Sequence, residues 1–226
     1  MNKLLNNLDD FANGKFFTSG ALEGLFTKGQ TDSKVVVVVG GSASGKSFCI
    51  RVMASWANND DEEPIQVSMK YRTEAGFHRA FMFGPIGDSE DSTGNVSLGA
   101  IKGALGTSEN REKNHWLMLD EPDLGLSEDY AAAMGVWLAE YANKLPEKCQ
   151  GLMIVTHSRD LVKSLFEKTT LTPHFLHMDG NKTPEQWISS NPVTRTVTEL
   201  MSLEDKSRQR RRAINAVLKP KAAQKP

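Results

Sequence analysis

Five consecutive valines, Val35–Val39, run directly into Gly40-Gly41-Ser42-Ala43-Ser44-Gly45-Lys46-Ser47. A continuous β-branched run reads as a strand buried on both faces, as in a parallel sheet covered by helices. Beyond it Phe48, Ile50, Val52, Met53 and Trp56 recur at helical spacing, predicting a helix over Ser47–Ala57. The octet satisfies G-x-x-x-x-G-K-[ST] in the setting that pattern requires, a strand before and a helix after. Its glycines let successive backbone N–H groups curl around an anion where side chains would collide. The helix N-terminus adds partial positive charge at the same point.

Those groups are the chemistry of a nucleotide phosphate site. Gly40, Gly41, Ser42, Ala43, Ser44 and Gly45 would cradle phosphate oxygens, and Lys46 would neutralise β/γ-phosphate charge. The Ser47 hydroxyl would ligate Mg²⁺. A chance Gly/Ser turn is the plainer alternative, and the flanking buried strand and helix argue against it.

The rest of the chain alternates strands and helices, which predicts an α/β domain with a mostly parallel sheet. Strands are expected at Ile65–Tyr71, Ala80–Phe83, His115–Leu119, Gly151–Thr156 and His174–Met178. Helices are expected from about Leu98 to Leu105, over Ser127–Asn143 and Ser158–Glu167, and at Pro184–Ser189. Gly84–Gly94 reads as a loop, and Thr194–Leu218 as one long basic helix fraying into Lys219–Pro226.

Two strand ends carry further chemistry. Trp116-Leu117-Met118-Leu119-Asp120-Glu121-Pro122 delivers two carboxylates to the sheet edge where open α/β sheets bind ligands. Asp120 is placed to hold Mg²⁺ opposite Ser47, and Glu121 to orient or deprotonate a water attacking the γ-phosphate. Beside a phosphate loop this reading outweighs a mere acidic turn at Pro122. The strand over Gly151–Thr156 ends at His157, whose imidazole can donate to a phosphate oxygen. A lone histidine at a strand end is more often structural; its emergence on the same edge as Asp120 and Lys46 favours the phosphate contact.

Composition bounds what such a domain can be. The chain has 226 residues, of which 39% are apolar and 24% charged, as expected of a globular domain rather than a disordered chain. Its densest apolar run, Val35–Val39, falls far short of the ~18 residues that cross a bilayer, so no membrane insertion is expected. Met1–Asp10 lacks the apolar core of a signal peptide. Cys49 and Cys149 show no metal-type spacing, which fits a reducing, cytoplasmic setting.

Taken in order, Lys46-Ser47, Leu119-Asp120-Glu121-Pro122 and Thr156-His157 resemble the P-loop, Walker B glutamate and switch histidine of the ABC-type ATPase superfamily. That family carries a signature, usually L-S-G-G-Q, at a helix N-terminus before the Walker B aspartate. Val96-Ser97-Leu98-Gly99-Ala100 sits there, with Ser97 and Gly99 matching and Leu98 and Ala100 departing from it. The resemblance implies a P-loop NTPase fold and an ATPase that uses ATP with Mg²⁺. It implies a head-to-tail homodimer on ATP binding, in which Ser97 and Gly99 of one copy meet the γ-phosphate held by the other. An entry into a helix is the plainer reading of Asn95–Gly99. The loop Asp123-Leu124-Gly125-Leu126-Ser127 looks more like the SMC/RecF-like cytosolic branch than like transporters. Gln66, inside a strand pattern, is the nearby candidate for a Mg²⁺-sensing glutamine, and Phe16 or Phe17 for an adenine-stacking ring, although two aromatics on a strand are more often core. The resemblance covers about Phe16–His177 within an ATPase domain over residues 1–203.

Residues 204–226 form a basic tail, eight Lys/Arg against Glu204 and Asp205, a net +6 that leaves −7 on the remainder. As a flexible arm it could hold nucleic-acid phosphates. A protein effector, the acidic body of a second copy, or simple solubility are the other readings. Three functions compete: an ATP-gated dimeric clamp in a DNA transaction, an energy or switch subunit for a separate protein or membrane effector, and a small-molecule kinase. No acceptor site supports the last, and Glu121 after Asp120 favours water as acceptor.

Overall fold

The computed structural model describes residues 3–27, 33–59, 62–69 and 92–218. Its centre is a six-stranded sheet built from β1 (Leu25–Thr27), β2 (Val35–Val39), β3 (Glu63–Ser68), β4 (His115–Asp120), β5 (Cys149–Val155) and β6 (His174–His177). Their order across the sheet is β1-β6-β2-β5-β4-β3. Five strands are parallel, and the edge strand β1 pairs antiparallel with β6.

The valine run explains why the sheet is covered on both sides. Successive residues of a strand point to opposite faces, and all five valines are fully buried. Val35, Val37 and Val39 join a core with Leu117, Leu119 and Ile154; Val36 and Val38 join a second core with Trp116, Met118 and Met153. Helices α4 (Thr93–Glu109), α5 (Glu128–Ala142) and α6 (Arg159–Lys168) supply Ile101, Leu138 and Leu161 to the first core. Helices α1 (Lys3–Ala12) and α3 (Lys46–Asn59) supply Phe11 and Met53 to the second. α5 and α6 pack closely because Gly135 has no side chain: a Cβ there would lie 2.2 Å from the Leu161 carbonyl oxygen.

One polar chain is sealed in the first core. The Tyr141 hydroxyl donates to Ser108 Oγ at 2.6 Å, and Ser108 Oγ lies 2.6 Å from His115 Nε2. His115 Nδ1 bonds the Lys113 carbonyl at 2.9 Å, so Nε2 is the acceptor for Ser108. Burial pushes the His115 pKa down, keeping this ring neutral. Both cysteines are buried free thiols.

Several elements differ from the sequence expectation. α4 starts at Thr93, capped by the Ser92 side chain, rather than near Leu98. The expected strand at Ala80–Phe83 and most of the loop over Gly84–Gly94 lie outside the described residues. The expected single helix over Thr194–Leu218 is two, α8 (Val197–Met201) and α9 (Leu203–Leu218), preceded by α7 (Pro184–Ser189). Thr196 and Glu199 form a capping box that starts α8. Nor is the tail a free arm through Leu218: Ile214 is buried in the second core. Among the described residues no helix is long and apolar enough to cross a membrane.

Candidate functional site

The glycine loop leaves the buried end of β2 and turns at once into α3. Three of its residues adopt positive φ, Gly40 (152°), Ala43 (61°) and Gly45 (104°). At Gly45 the left-handed backbone demands glycine, and a Cβ there would also meet the Leu22 side chain at 2.6 Å. Phe48 and Cys49 N–H groups already bond the Gly45 carbonyl, so α3 begins without a break.

Lys46 folds back over this loop. Its Nζ donates to the carbonyls of Gly40 at 2.9 Å and Gly41 at 3.0 Å, and lies 2.9 Å from His157 Nε2. The side chain is only 5% exposed. Burial pushes its pKa down to about 8, against the opposing pull of Glu121, Asp179 and Asp120.

Strand order brings the other groups to the same edge. β5 lies between β2 and β4, all three parallel, so His157 emerges between the glycine loop and the acid pair. His157 Nε2 is also 3.2 Å from Glu121 Oε1, so the amine and the carboxylate converge on one ring nitrogen. Glu121 stands in the left-handed region at φ 58°, its N–H held by the Val155 carbonyl at 2.8 Å. A non-glycine residue in that conformation is strained, and such strain gathers at functional sites. Next to His157, Thr156 Oγ1 donates to Asp123 Oδ1 at 2.7 Å and accepts from Ser158 N–H at 2.9 Å. Burial raises the Asp123 pKa against that hydrogen bond.

Asp120 is buried at the end of β4, and the Ser68 hydroxyl donates to its Oδ2 at 2.9 Å. Ser47 is exposed on the first turn of α3. These are hard oxygen donors of the kind Mg²⁺ takes. Among the described residues no group of three or more His, Cys, Asp or Glu forms a ready metal cage. Mg²⁺ characteristically makes do with one or two carboxylates, waters and substrate phosphates, so the donor set fits that ion. Gln66 does not belong to it: Gln66 sits within β3 opposite Met118, whereas Ser68 is the β3 residue that touches Asp120.

Of the remaining sequence candidates, Ser97 and Gly99 fall elsewhere, whereas Phe16 lines the same cleft as Lys46, Glu121 and His157. Ser97 lies on the second turn of α4, not at its N-terminus, and is completely buried; its hydroxyl donates to the Leu124 carbonyl at 2.6 Å. Gly99 is on the exposed side of α4, where a Cβ would meet nothing within 4 Å. Phe16 and Phe17 lie on the short helix α2 (Lys15–Thr18) rather than on a strand. Both rings pack against Phe11, and Phe16 also meets Phe48 edge-on at 5.0 Å.

Sequence reasoning missed Asp179 and its partner. β6 runs parallel to β2, so the residues after His177 land beside the glycine loop. Asp179 Oδ2 accepts the Gly41 N–H at 2.9 Å, and Oδ1 lies 3.2 Å from His177 Nε2. His177 Nδ1 accepts the Lys182 N–H at 3.2 Å, which leaves Nε2–H to face Asp179. The available signal was position: an aspartate just past a parallel strand, on the edge that already held Lys46.

The basic C-terminal helix is the other surprise. Arg210 donates to the Ala43 carbonyl and lies 3.6 Å from Glu23, pinning α9 across the loop. No protein-family model matches the chain, and no curated protein matches it closely enough to count as a relative.

Proposed function

We propose that this protein is a P-loop NTPase of ABC type that binds ATP with Mg²⁺ and hydrolyses its γ-phosphoryl bond. The observation that carries the reading is the cluster of Lys46 and Glu121 around His157 Nε2, at 2.9 and 3.2 Å, directly beside the glycine loop. A buried amine, an imidazole and a carboxylate within reach of one anion-binding loop suit phosphoryl transfer to water.

In this reading the backbone N–H groups of Gly41–Ser47 and the start of α3 hold the phosphates. Lys46 lies against the β/γ-phosphates and exchanges its bonds to Gly40 and Gly41 for phosphate oxygens. Glu121 orients the attacking water and takes its proton. His157 sits between Lys46 and Glu121, able to donate to the γ-phosphate or steady the glutamate. Ser47 and Asp120 would hold Mg²⁺, which when bound neutralises charge on the phosphate oxygens.

Dimerisation through Ser97 draws no support from its buried hydroxyl, and the hydrolytic reading rests on residues of one chain. The exposed cations Lys206, Arg208 and Arg212 on α9 support the further proposal that the ATPase serves a nucleic-acid transaction, a protein effector being the alternative. Phosphate release from ATP, compared between the natural chain and Glu121→Gln, tests the hydrolytic reading. Release that depends on Glu121 is expected; equal rates in both would remove Glu121 from the mechanism.

A further inference from the structure

A cleft of about 1200 Å³ opens beside the glycine loop. Its inner end holds Lys46, Glu121 and His157, so it is continuous with the phosphate site of the proposed ATPase. From there it runs along α3, where Phe48, Val52 and Trp56 form a wall at helical spacing. Trp56 lies ten residues beyond Lys46, about 15 Å along the helix axis at 1.5 Å per residue.

The facing wall is α9. Ser207, Arg211, Ile214, Asn215 and Leu218 line the cleft, and their spacing of four, three, one and three makes a single helix face. Ile214 anchors this face in the core, and Arg210 ties its near end to the loop. The other arginines divide sharply: Arg208 is paired with Glu204, whereas no hydrogen bond or ion pair joins Arg211 to another described residue. Lys15 and Arg51 also line the cleft, and Glu121 is the one acid among its described lining residues. Away from Lys46 along α3 the cleft is lined by Val52, Trp56 and Leu218, with Ser55 and Asn215 as polar neighbours.

A hollow that is cationic beside the glycine loop and carries an aromatic ring, aliphatic side chains and a few polar groups further along α3 suits a ligand with a charged head and a flat, weakly polar body. We propose that the nucleoside half of the bound nucleoside triphosphate lies between α3 and α9. Trp56 and Leu218 enclose its base, Asn215 addresses the polar edge of base or ribose, and Arg211 meets the phosphate chain on the side away from Lys46. This rests on the phosphate-loop reading above. It gives the basic helix a task within its own chain, and the face turned into the cleft is thereby committed to nucleotide rather than nucleic acid.

The test compares ATP with inorganic tripolyphosphate on the full chain, since both offer phosphates and one offers a nucleoside. The natural chain should bind ATP at least about tenfold more tightly than tripolyphosphate. Leu218→Glu changes a half-exposed residue and should preserve folding. It should weaken ATP by about tenfold, and should leave tripolyphosphate binding within about twofold. ATP should also quench tryptophan fluorescence, and Trp56→Phe should remove that quench. Equal affinities for the two ligands, or equal loss of both in Leu218→Glu, would overturn the nucleoside site while leaving the phosphate loop standing. Failure of either ligand to bind the natural chain would instead sink the phosphate-loop reading, and this one with it. A Leu218→Glu chain that keeps ATP but loses single-stranded oligonucleotide would assign the cleft to nucleic acid and overturn the proposal.

Discussion

The Asp179 carboxylate accepts the backbone N–H of Gly41 at 2.9 Å, so an acidic side chain already occupies one donor of the glycine loop. A phosphate bound there as proposed would compete with it and bear its repulsion. Asp179→Asn should therefore raise ATP affinity at pH 7, by roughly fivefold for about 1 kcal/mol of relieved repulsion. Calorimetric titration reads this directly. Unchanged or weaker binding would show that Asp179 supports the ligand instead of opposing it.

Lys46 gives a stability prediction with a definite sign. Its amine titrates near 8 in the folded chain, down from 10.5, because burial disfavours the charged form. The folded state therefore binds fewer protons between those values, and stability should rise as pH climbs from about 8 to 10.5. Below pH 8 the full penalty persists, on the order of 3 kcal/mol before the hydrogen bonds to Gly40 and Gly41 are counted. Lys46→Met should raise Tm at pH 7, flatten the alkaline rise, and abolish ATP binding. A lower Tm at pH 7 would show that the buried charge of Lys46 stabilises the fold.

On the proposed reading the same group would set a pH limit on binding. Phosphate needs the charged amine, so ATP affinity should be level below about pH 7.5 and fall through pH 8–9. Asp179→Asn removes one of the charges that raise the Lys46 pKa, and should move this fall to lower pH. Affinity independent of pH across that range would separate Lys46 from the bound phosphate.

Ser97 is expected to be structural. Ser97→Ala leaves the Leu124 carbonyl without its 2.6 Å partner and should cost about 1–3 kcal/mol of stability. Turnover per folded molecule should stay close to that of the natural chain. A large loss of turnover with unaltered unfolding would restore Ser97 to the reaction.

What could be read from the sequence was what short patterns determine. Val35–Val39 announced a doubly covered strand, and Pro184–Ser189 carried its cap and first-turn proline in plain view. The glycine loop, Asp120, Glu121 and His157 were legible because each closes an apolar run at one edge of a parallel sheet. Asp179 was hidden by strand order, since nothing local says that β6 lies against β2. Ser97 misled because its five-residue neighbourhood fits a helix start; the Ser92 cap, five residues earlier, begins the helix and turns Ser97 inward. The basic tail misled through its charge. Ile214, one apolar residue among arginines, is what seats α9 on the second core.

On the function proposed, the glycine loop holds ATP and Glu121 serves the water that cleaves it. The most direct measurement is the identity of the nucleotide retained by Glu121→Gln after incubation with Mg²⁺ and ATP, read by chromatography of the denatured complex. Intact ATP on Glu121→Gln, with ADP on the natural chain, is the predicted result. No nucleotide on either chain, or ADP on both, would contradict it.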